Sequence, residues 1–247
     1  MVLSSSWAQP IPYDARAART LREQLAARYD LAREAVTVAG SRFAITVVRD
    51  TNALLESIHA EEFARDERLP YWAELWTSSL ELARWSLKGG VGRGMRVLEL
   101  GCGLGLVGIA AARAGGHVTM TDYEPDALAF ARLNAADNLP QPSHGDGIRV
   151  AMLDWRDLYR GEQYGLVLGS DIVYDRSVFE PLLRCLQECL APGGRAVMTD
   201  PDRAVGRAFL ELAAQSGFDV TTVAVPTVRR GRTVTVLRAT LQRSPRP

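Results

Sequence analysis

The residues of this 247-residue sequence with the clearest chemical potential lie in Val97-Leu-Glu-Leu-Gly101-Cys-Gly103-Leu-Gly105-Leu-Val-Gly108. Glycines at this spacing let a backbone turn tightly and approach a ligand, and the start of the helix that follows favours negative charge. Gly103-x-Gly105-x-x-Gly108 matches a dinucleotide fingerprint, and Asp122 lies at the distance expected of an acid that holds ribose hydroxyls. A nicotinamide-dependent oxidoreductase is therefore one reading. Glu99 argues against it: a carboxylate two residues before Gly101 repels a pyrophosphate but suits a cofactor carrying an ammonium group. Leu153-Asp154-Trp155 offers a carboxylate and an aromatic wall to an adenine. Asp171 and Tyr174, in Ser170-Asp-Ile-Val-Tyr174-Asp, could face a substrate from the end of a strand.

Other reactive side chains imply less. Cys102 reads as a small residue tolerated in the turn, with no histidine near it in sequence. Cys185 and Cys189 stand at i and i+4 of an amphipathic pattern and read as core. His59, His117 and His144 show no ligand spacing, so no metal is expected. Of the 29 basic residues only Lys88 is a lysine, which leaves few candidates for a catalytic amine.

The elements that must position these residues fall into two textures, divided by Gly89-Gly90-Val-Gly92-Arg-Gly94. Beyond it, short apolar runs at Met95–Leu100, His117–Thr121, Ile148–Leu153, Tyr164–Gly169 and Arg195–Thr199 alternate with helical patterns at Leu106–Ala114, Pro125–Asn138, Phe179–Leu190 and Val205–Ser216. Alternation of this kind predicts βαβ units around a parallel sheet. Asp219–Val225 and Thr233–Leu241 are joined too closely for a crossover helix and predict an antiparallel hairpin. Before the glycines, the sequence predicts a helix over Ala15–Tyr29 and a hairpin of Ala35–Val38 with Arg42–Val48. A helix from about Thr77 to Leu87, with Leu80, Ala83 and Leu87 on one face, then leads into the main domain. The expected division is an N-terminal extension, 1–90, and a main domain, 91–247. The arginines of the last hairpin and tail read as a solvated edge.

Composition narrows the classes. Equal numbers of basic and acidic residues, 29 each, give no field that draws the chain to nucleic acid. Three cysteines are too few for a disulfide framework, no apolar run is long enough for a membrane, and the first dozen residues lack secretory-leader features. The expected setting is soluble and cytoplasmic.

Together, the glycine loop, Asp122, Leu153-Asp154-Trp155, the Leu190-Ala-Pro-Gly-Gly-Arg turn and the closing antiparallel pair resemble the class I S-adenosylmethionine-dependent methyltransferases, over roughly 91–241. The resemblance implies a Rossmann-like α/β fold. Its seven-stranded, mostly parallel sheet would carry an antiparallel C-terminal pair, with helices on both faces. Two further segments, Pro70-Tyr-Trp72-Ala-Glu-Leu-Trp76-Thr-Ser-Ser and the Asp171-x-x-Tyr174 pair, are similar to the protein-lysine methyltransferases of methyltransferase family 16. Thr77 departs from that pattern, where many members have proline or aspartate. The resemblance implies S-adenosylmethionine as cofactor, held by Trp76, Glu99, Gly101, Cys102, Gly103, Gly105, Asp122, Tyr123, Asp154, Trp155 and Ser170. It also implies Asp171 and Tyr174 as catalytic residues and a protein substrate presenting a lysine. A methyltransferase for a small amine or ring nitrogen would use the same chemistry and stays open at this point, as does a non-catalytic cofactor-binding protein.

Overall fold

The computed structural model describes residues 8–10, 15–56, 69–139, 148–157, 159 and 161–243; His59, His144 and the tail arginine Arg246 lie outside them. The chain begins with the two-residue β1 (Gln9–Pro10), α1 (Ala15–Ala26), the hairpin β2 (Leu31–Val38) and β3 (Ser41–Val48), and the short α2 (Thr51–Glu56). A 3-10 turn at Tyr71–Ala73 precedes α3 (Thr77–Trp85), which ends in a wide turn, Ser86–Gly90. Then come β4 (Arg96–Leu100), α4 (Leu106–Arg113), β5 (His117–Asp122), α5 (Pro125–Asn138), β6 (Ile148–Met152) and β7 (Tyr164–Ser170). The last elements are α6 (Phe179–Cys189), β8 (Leu190–Asp200), α7 (Ala204–Gln215), β9 (Phe218–Arg229) and β10 (Arg232–Arg243).

The main sheet runs β1-β6-β5-β4-β7-β8-β10-β9. Five strands, β6 to β8, are parallel; β10 enters antiparallel between β8 and β9. The seven-strand expectation thus holds, with the short β1 added antiparallel beside β6. The central strands are apolar on both faces because helices cover both. Val97 and Met120 join Leu82, Ile109, Phe130 and Leu133 on one side. Leu98, Leu100 and Val167 join Leu182, Leu186 and Phe209 on the other. Cys185 and Cys189 are buried among the latter. Among the described residues no helix is long and apolar enough to cross a membrane.

Several boundaries differ from the sequence expectation for physical reasons. Strand β8 starts at Leu190, because Leu190 pairs with Tyr164 ahead of a register shift in the ladder. Strands β9 and β10 are twelve residues each, joined by Arg230 and Gly231, both at positive φ, as a two-residue hairpin turn requires. On α3 the buried residues are Ser78, Glu81, Leu82 and Ala83, so Ala83 of the expected stripe lies in the core while Leu80 and, beyond the helix, Leu87 pack against it only partly buried. Glu81 can be buried because Arg84 and Arg238 neutralise it. Arg229 does not lie on a solvated edge: its side chain is 11% exposed and sits 3.6 Å from both Glu34 and Glu74.

The N-terminal hairpin is attached through α5. Asn134 and Asn138, one turn apart, act as a substitute strand edge. Asn134 Oδ1 accepts from the Thr46 amide at 2.7 Å, and its Nδ2 donates to the Thr46 carbonyl at 3.1 Å. Asn138 makes the same pair with Ala44. Phe43, Ile45 and Val48 share a hydrophobic cluster with Phe130 and Leu133 of α5.

Candidate active site

An open cleft of about 730 Å³ lies beyond the carboxyl ends of β4, β5 and β7, where a parallel sheet leaves room for a ligand. Its floor is the loop from Gly101 to Gly105. Gly101 has φ +62°, and a Cβ there would come within 2.6 Å of Ile172 Cγ2. Gly103 has φ +49°, and a Cβ would press within 3.2 Å of the Trp72 carbonyl. Any side chain at either position is therefore both strained and crowded.

Two acids flank this loop. Asp122, ending β5, is 4% exposed. It accepts from the Gly103 amide at 2.9 Å and from the Glu124 amide at 3.0 Å, so it braces the loop and also the entry to α5. Burial pushes its carboxyl up to about 6, against the pull of those amides. Glu99, in β4, is 3% exposed, and its Oε2 has no hydrogen-bond partner. Burial raises its carboxyl well above the usual range, the Gly108 amide opposing and the Asp122 charge adding to the rise. A buried, unsatisfied carboxylate oxygen is costly unless a ligand supplies the missing donor.

Another part of the cleft wall is built by β7 and by the segment leading into α3. Asp171 stands at φ +58° just after β7, with its side chain 5% exposed. Its Oδ1 accepts from Arg203 Nη2 at 2.9 Å, while Oδ2 makes no hydrogen bond of ordinary geometry, the Ser78 hydroxyl, itself unpartnered, being the donor nearest the carboxyl on the α3 side. Burial pushes its carboxyl up to about 6; the Ser78 hydroxyl and Arg203 oppose this, whereas Asp200 and Glu74 add to it. The half-exposed rings of Tyr174 and Tyr71 lie 5.4 Å apart. Trp76 is fixed by donating its indole N–H to the Tyr71 carbonyl at 2.9 Å. Trp155 is buried, with its ring 6.5 Å from that of Tyr123.

All but one of the sequence-derived positions line this cleft: Trp76, Glu99, Gly101, Cys102, Gly103, Gly105, Asp122, Tyr123, Trp155, Ser170, Asp171 and Tyr174. The structure places Asp154 off it. Asp154 follows β6 and folds back on its neighbour, accepting from Arg156 Nε and Nη2 at 2.9 and 2.6 Å. Sequence reasoning missed Tyr71, Trp72, Glu74 and Ser79, which also line the cleft. The signal lay in Pro70-Tyr-Trp-Ala-Glu-Leu-Trp76, where aromatics and an acid immediately precede an uncapped helix. Among the described residues, no group of three or more His, Cys, Asp or Glu side chains is placed to hold a metal.

The fold is that of S-adenosylmethionine-dependent methyltransferases. A magnesium protoporphyrin IX methyltransferase from Synechocystis PCC 6803, solved with bound S-adenosylhomocysteine, superposes with a TM-score of 0.54 at 18% identity. The superposition covers 78% of this chain and 99% of that one. Within this fold, residues 68–215 match the family described as lysine methyltransferase, and the chain belongs to that family. It is 41% identical to the protein N-lysine methyltransferase METTL21A of Danio rerio over 136 residues, 53% of this chain and 61% of that protein. It is 39% identical to the EEF1A lysine methyltransferase 3 of Mus musculus over 141 residues, 56% of this chain and 59% of that protein. The chain thus spans about three fifths of the length of these relatives.

Proposed function

We propose that the protein is an S-adenosylmethionine-dependent N-methyltransferase that modifies a lysine side chain of another protein. The observation that carries the reading is the pairing, in one cleft, of two kinds of unsatisfied carboxylate. Glu99 Oε2 lies on the glycine-loop side, and Asp171 Oδ2 on the side of Tyr71 and Tyr174. The first fits the ammonium of a cofactor's methionine part, and the glycine floor leaves room for its chain. Asp122, which keeps lone pairs beyond its two amide bonds, fits the ribose hydroxyls, and Trp155 and Tyr123 fit the adenine. When bound, S-adenosylmethionine supplies an electrophilic methyl group on a sulfonium.

The remaining work falls to the chain's own residues. A lysine amine, with an ordinary pKa near 10.4, must lose a proton before its lone pair can attack. At neutral pH Asp171 is mostly ionised, because its carboxyl is pushed up only to about 6. It can accept an N–H from the amine and so align the lone pair while the proton leaves to solvent. The faces of Tyr174 and Tyr71 receive the positive charge that the nitrogen acquires as the new N–C bond forms and the S–C bond breaks. Residues 71–79, within the 1–90 extension, form the substrate-side wall, so in this reading the extension works with the main domain. The protein-lysine activity named for the relatives supports the choice of substrate class.

The test is transfer of radiolabelled methyl groups into a lysate of the cell that makes the protein. Label in a discrete protein band, lost when Asp171 is replaced by Ala, is the expected result. Self-modification is easily excluded, since Lys88 is the only lysine in the sequence and Lys88→Arg removes it. Label found only in small molecules would favour a small-amine substrate and overturn the protein reading.

A further inference from the structure

We infer that Arg203 is a positioning residue for methyl transfer, anchored on Asp200 so as to hold one oxygen of Asp171 and leave the other for the incoming amine. The inference rests on the reading that Asp171 acts on that amine.

Arg203 stands between β8 and α7, outside every motif that sequence reasoning singles out, and is one of 28 arginines. Its placement is specific. The Arg203 amide donates to Asp200 Oδ1 at 2.6 Å, and its Nε donates to Asp200 Oδ2 at 2.9 Å. Backbone and side chain are thus both fixed by the carboxylate that ends β8. From there Nη2 reaches Asp171 Oδ1 at 2.9 Å. The first turn of α7 closes over Asp200: a Cβ on Gly206 would come within 2.9 Å of the Asp200 carboxyl carbon.

Asp171 is held from its other end as well. Its amide donates to the Thr199 carbonyl at 2.9 Å, and its φ of +58° is a conformation that costs a non-glycine residue energy. Strain of this kind persists where neighbours over-determine the geometry, and here a backbone bond and a guanidinium do so. With Oδ1 occupied by Arg203, Oδ2 is the oxygen without a partner. Arg203 therefore decides which oxygen is left for a ligand and in what direction it points.

The cation also governs the charge. The groups that face Asp171 are Arg203 and Asp200 from the β8–α7 junction, Glu74 from the segment before α3, and the Ser78 hydroxyl of α3. Arg203 is the only cation among them, set against two carboxylates. Without it, Asp171 would hold its proton to higher pH and lose its accepting form.

The experiment compares Arg203→Met, Arg203→Lys, Asp171→Ala and the double variant Asp171→Ala/Arg203→Met in single-turnover transfer, together with cofactor affinity and urea unfolding for each. The ratio of variant to parent rate is followed from pH 6 to 9, because the substrate lysine's own titration cancels in that ratio. Arg203→Met should transfer at least about threefold more slowly at pH 6.5, since removing an adjacent opposite charge raises a carboxyl by about one unit or more. The deficit should shrink as pH rises, and cofactor affinity should stay within a few fold. Arg203→Lys should recover the pH dependence but not the full rate, because an ammonium keeps the charge and loses the fork. The double variant should be no slower than Asp171→Ala, because Arg203 acts only through that residue. Should Arg203→Met not fold, Arg203→Gln, which removes the charge but keeps a polar side chain of similar reach, carries the same pH test.

A ratio that is low but flat with pH, or a double variant slower than Asp171→Ala, would show a merely structural role and overturn the inference. Asp171→Ala impaired while the Arg203 variants match the parent at every pH would overturn the inference alone. Asp171→Ala at the parent rate would overturn the reading beneath it.

Discussion

Asp122 offers a quantitative test, because its burial gives it opposite effects on folding and on binding. Its carboxyl rises from 3.8 to about 6 on folding, chiefly by desolvation. The sign follows from that direction. A carboxyl raised in the folded state favours folding while protonated, below about 3.8, and that contribution is lost as pH rises through about 6. A shift of about two units corresponds to roughly 3 kcal/mol between those limits, at 1.36 kcal/mol per unit. Between pH 4.5 and 7 the same titration gives about 2 kcal/mol. Asp122→Asn does not titrate, so the stability difference between variant and parent should move in the variant's favour by about 2 kcal/mol over that range. Groups that do not interact with Asp122 cancel in the comparison, and Glu99, whose carboxyl the Asp122 charge helps to raise, shifts the difference in the same direction. The variant's absolute stability will also reflect the Gly103 and Glu124 amides, one of which loses its acceptor at a cost of about 1–3 kcal/mol, but that loss does not vary with pH. Urea unfolding of both proteins without cofactor at pH 4.5, 5.5, 6.5 and 7 measures the difference. Calorimetric titration at pH 7 should show S-adenosylmethionine weakened by roughly tenfold to a hundredfold, the range for a lost charge-assisted hydrogen bond. A stability difference that is flat with pH would refute the argument that Asp122 carries a buried charge. Unchanged cofactor affinity would refute its role toward the ribose.

Glu99→Gln should fold at least as stably as the parent at pH 7, since it removes a buried carboxylate with an unpaired oxygen, yet bind the cofactor at least about tenfold more weakly. Thermal unfolding and calorimetry distinguish this from a purely structural acid, which would lose stability instead. Gly101→Ala should lose roughly 1–3 kcal/mol and most cofactor binding, since its Cβ meets Ile172 at φ +62°. Ile172→Ala in the same chain should restore only the part due to crowding, as denaturant midpoints would show. Tyr174→Phe should keep most of the transfer rate and Tyr174→Ala should lose roughly tenfold or more, if the ring face beside Tyr71 receives the charge; equal losses in single-turnover assays would assign the work to the hydroxyl.

The sequence alone determined what depends on local period and composition. The apolar runs from β4 to β8 and the helical stripes between them are separated by turns short enough to leave one plausible sheet, and the hairpin of β9 and β10 follows from its turn. Glu99, Gly101, Gly103 and Asp122 were legible because one contiguous loop and the end of one neighbouring strand hold them. Tertiary structure decided whatever depends on contacts distant in sequence. Asp154 and Trp155 are adjacent, yet only Trp155 lines the cleft, while the Asp154 carboxylate accepts from Arg156. Arg229 is indistinguishable in sequence from Arg230 and Arg232, but Glu34 and Glu74, far away along the chain, bury it. Glu81 interrupts an apolar helix face and is buried all the same, because Arg238 arrives from the other end of the protein. Arg203 acquires its relation to Asp171 only when β7 and β8 pair and bring residues 32 positions apart within hydrogen-bonding distance. A local pattern can tell a buried face from an exposed one, but the partner of a buried charge is fixed by the packing that brings the two together.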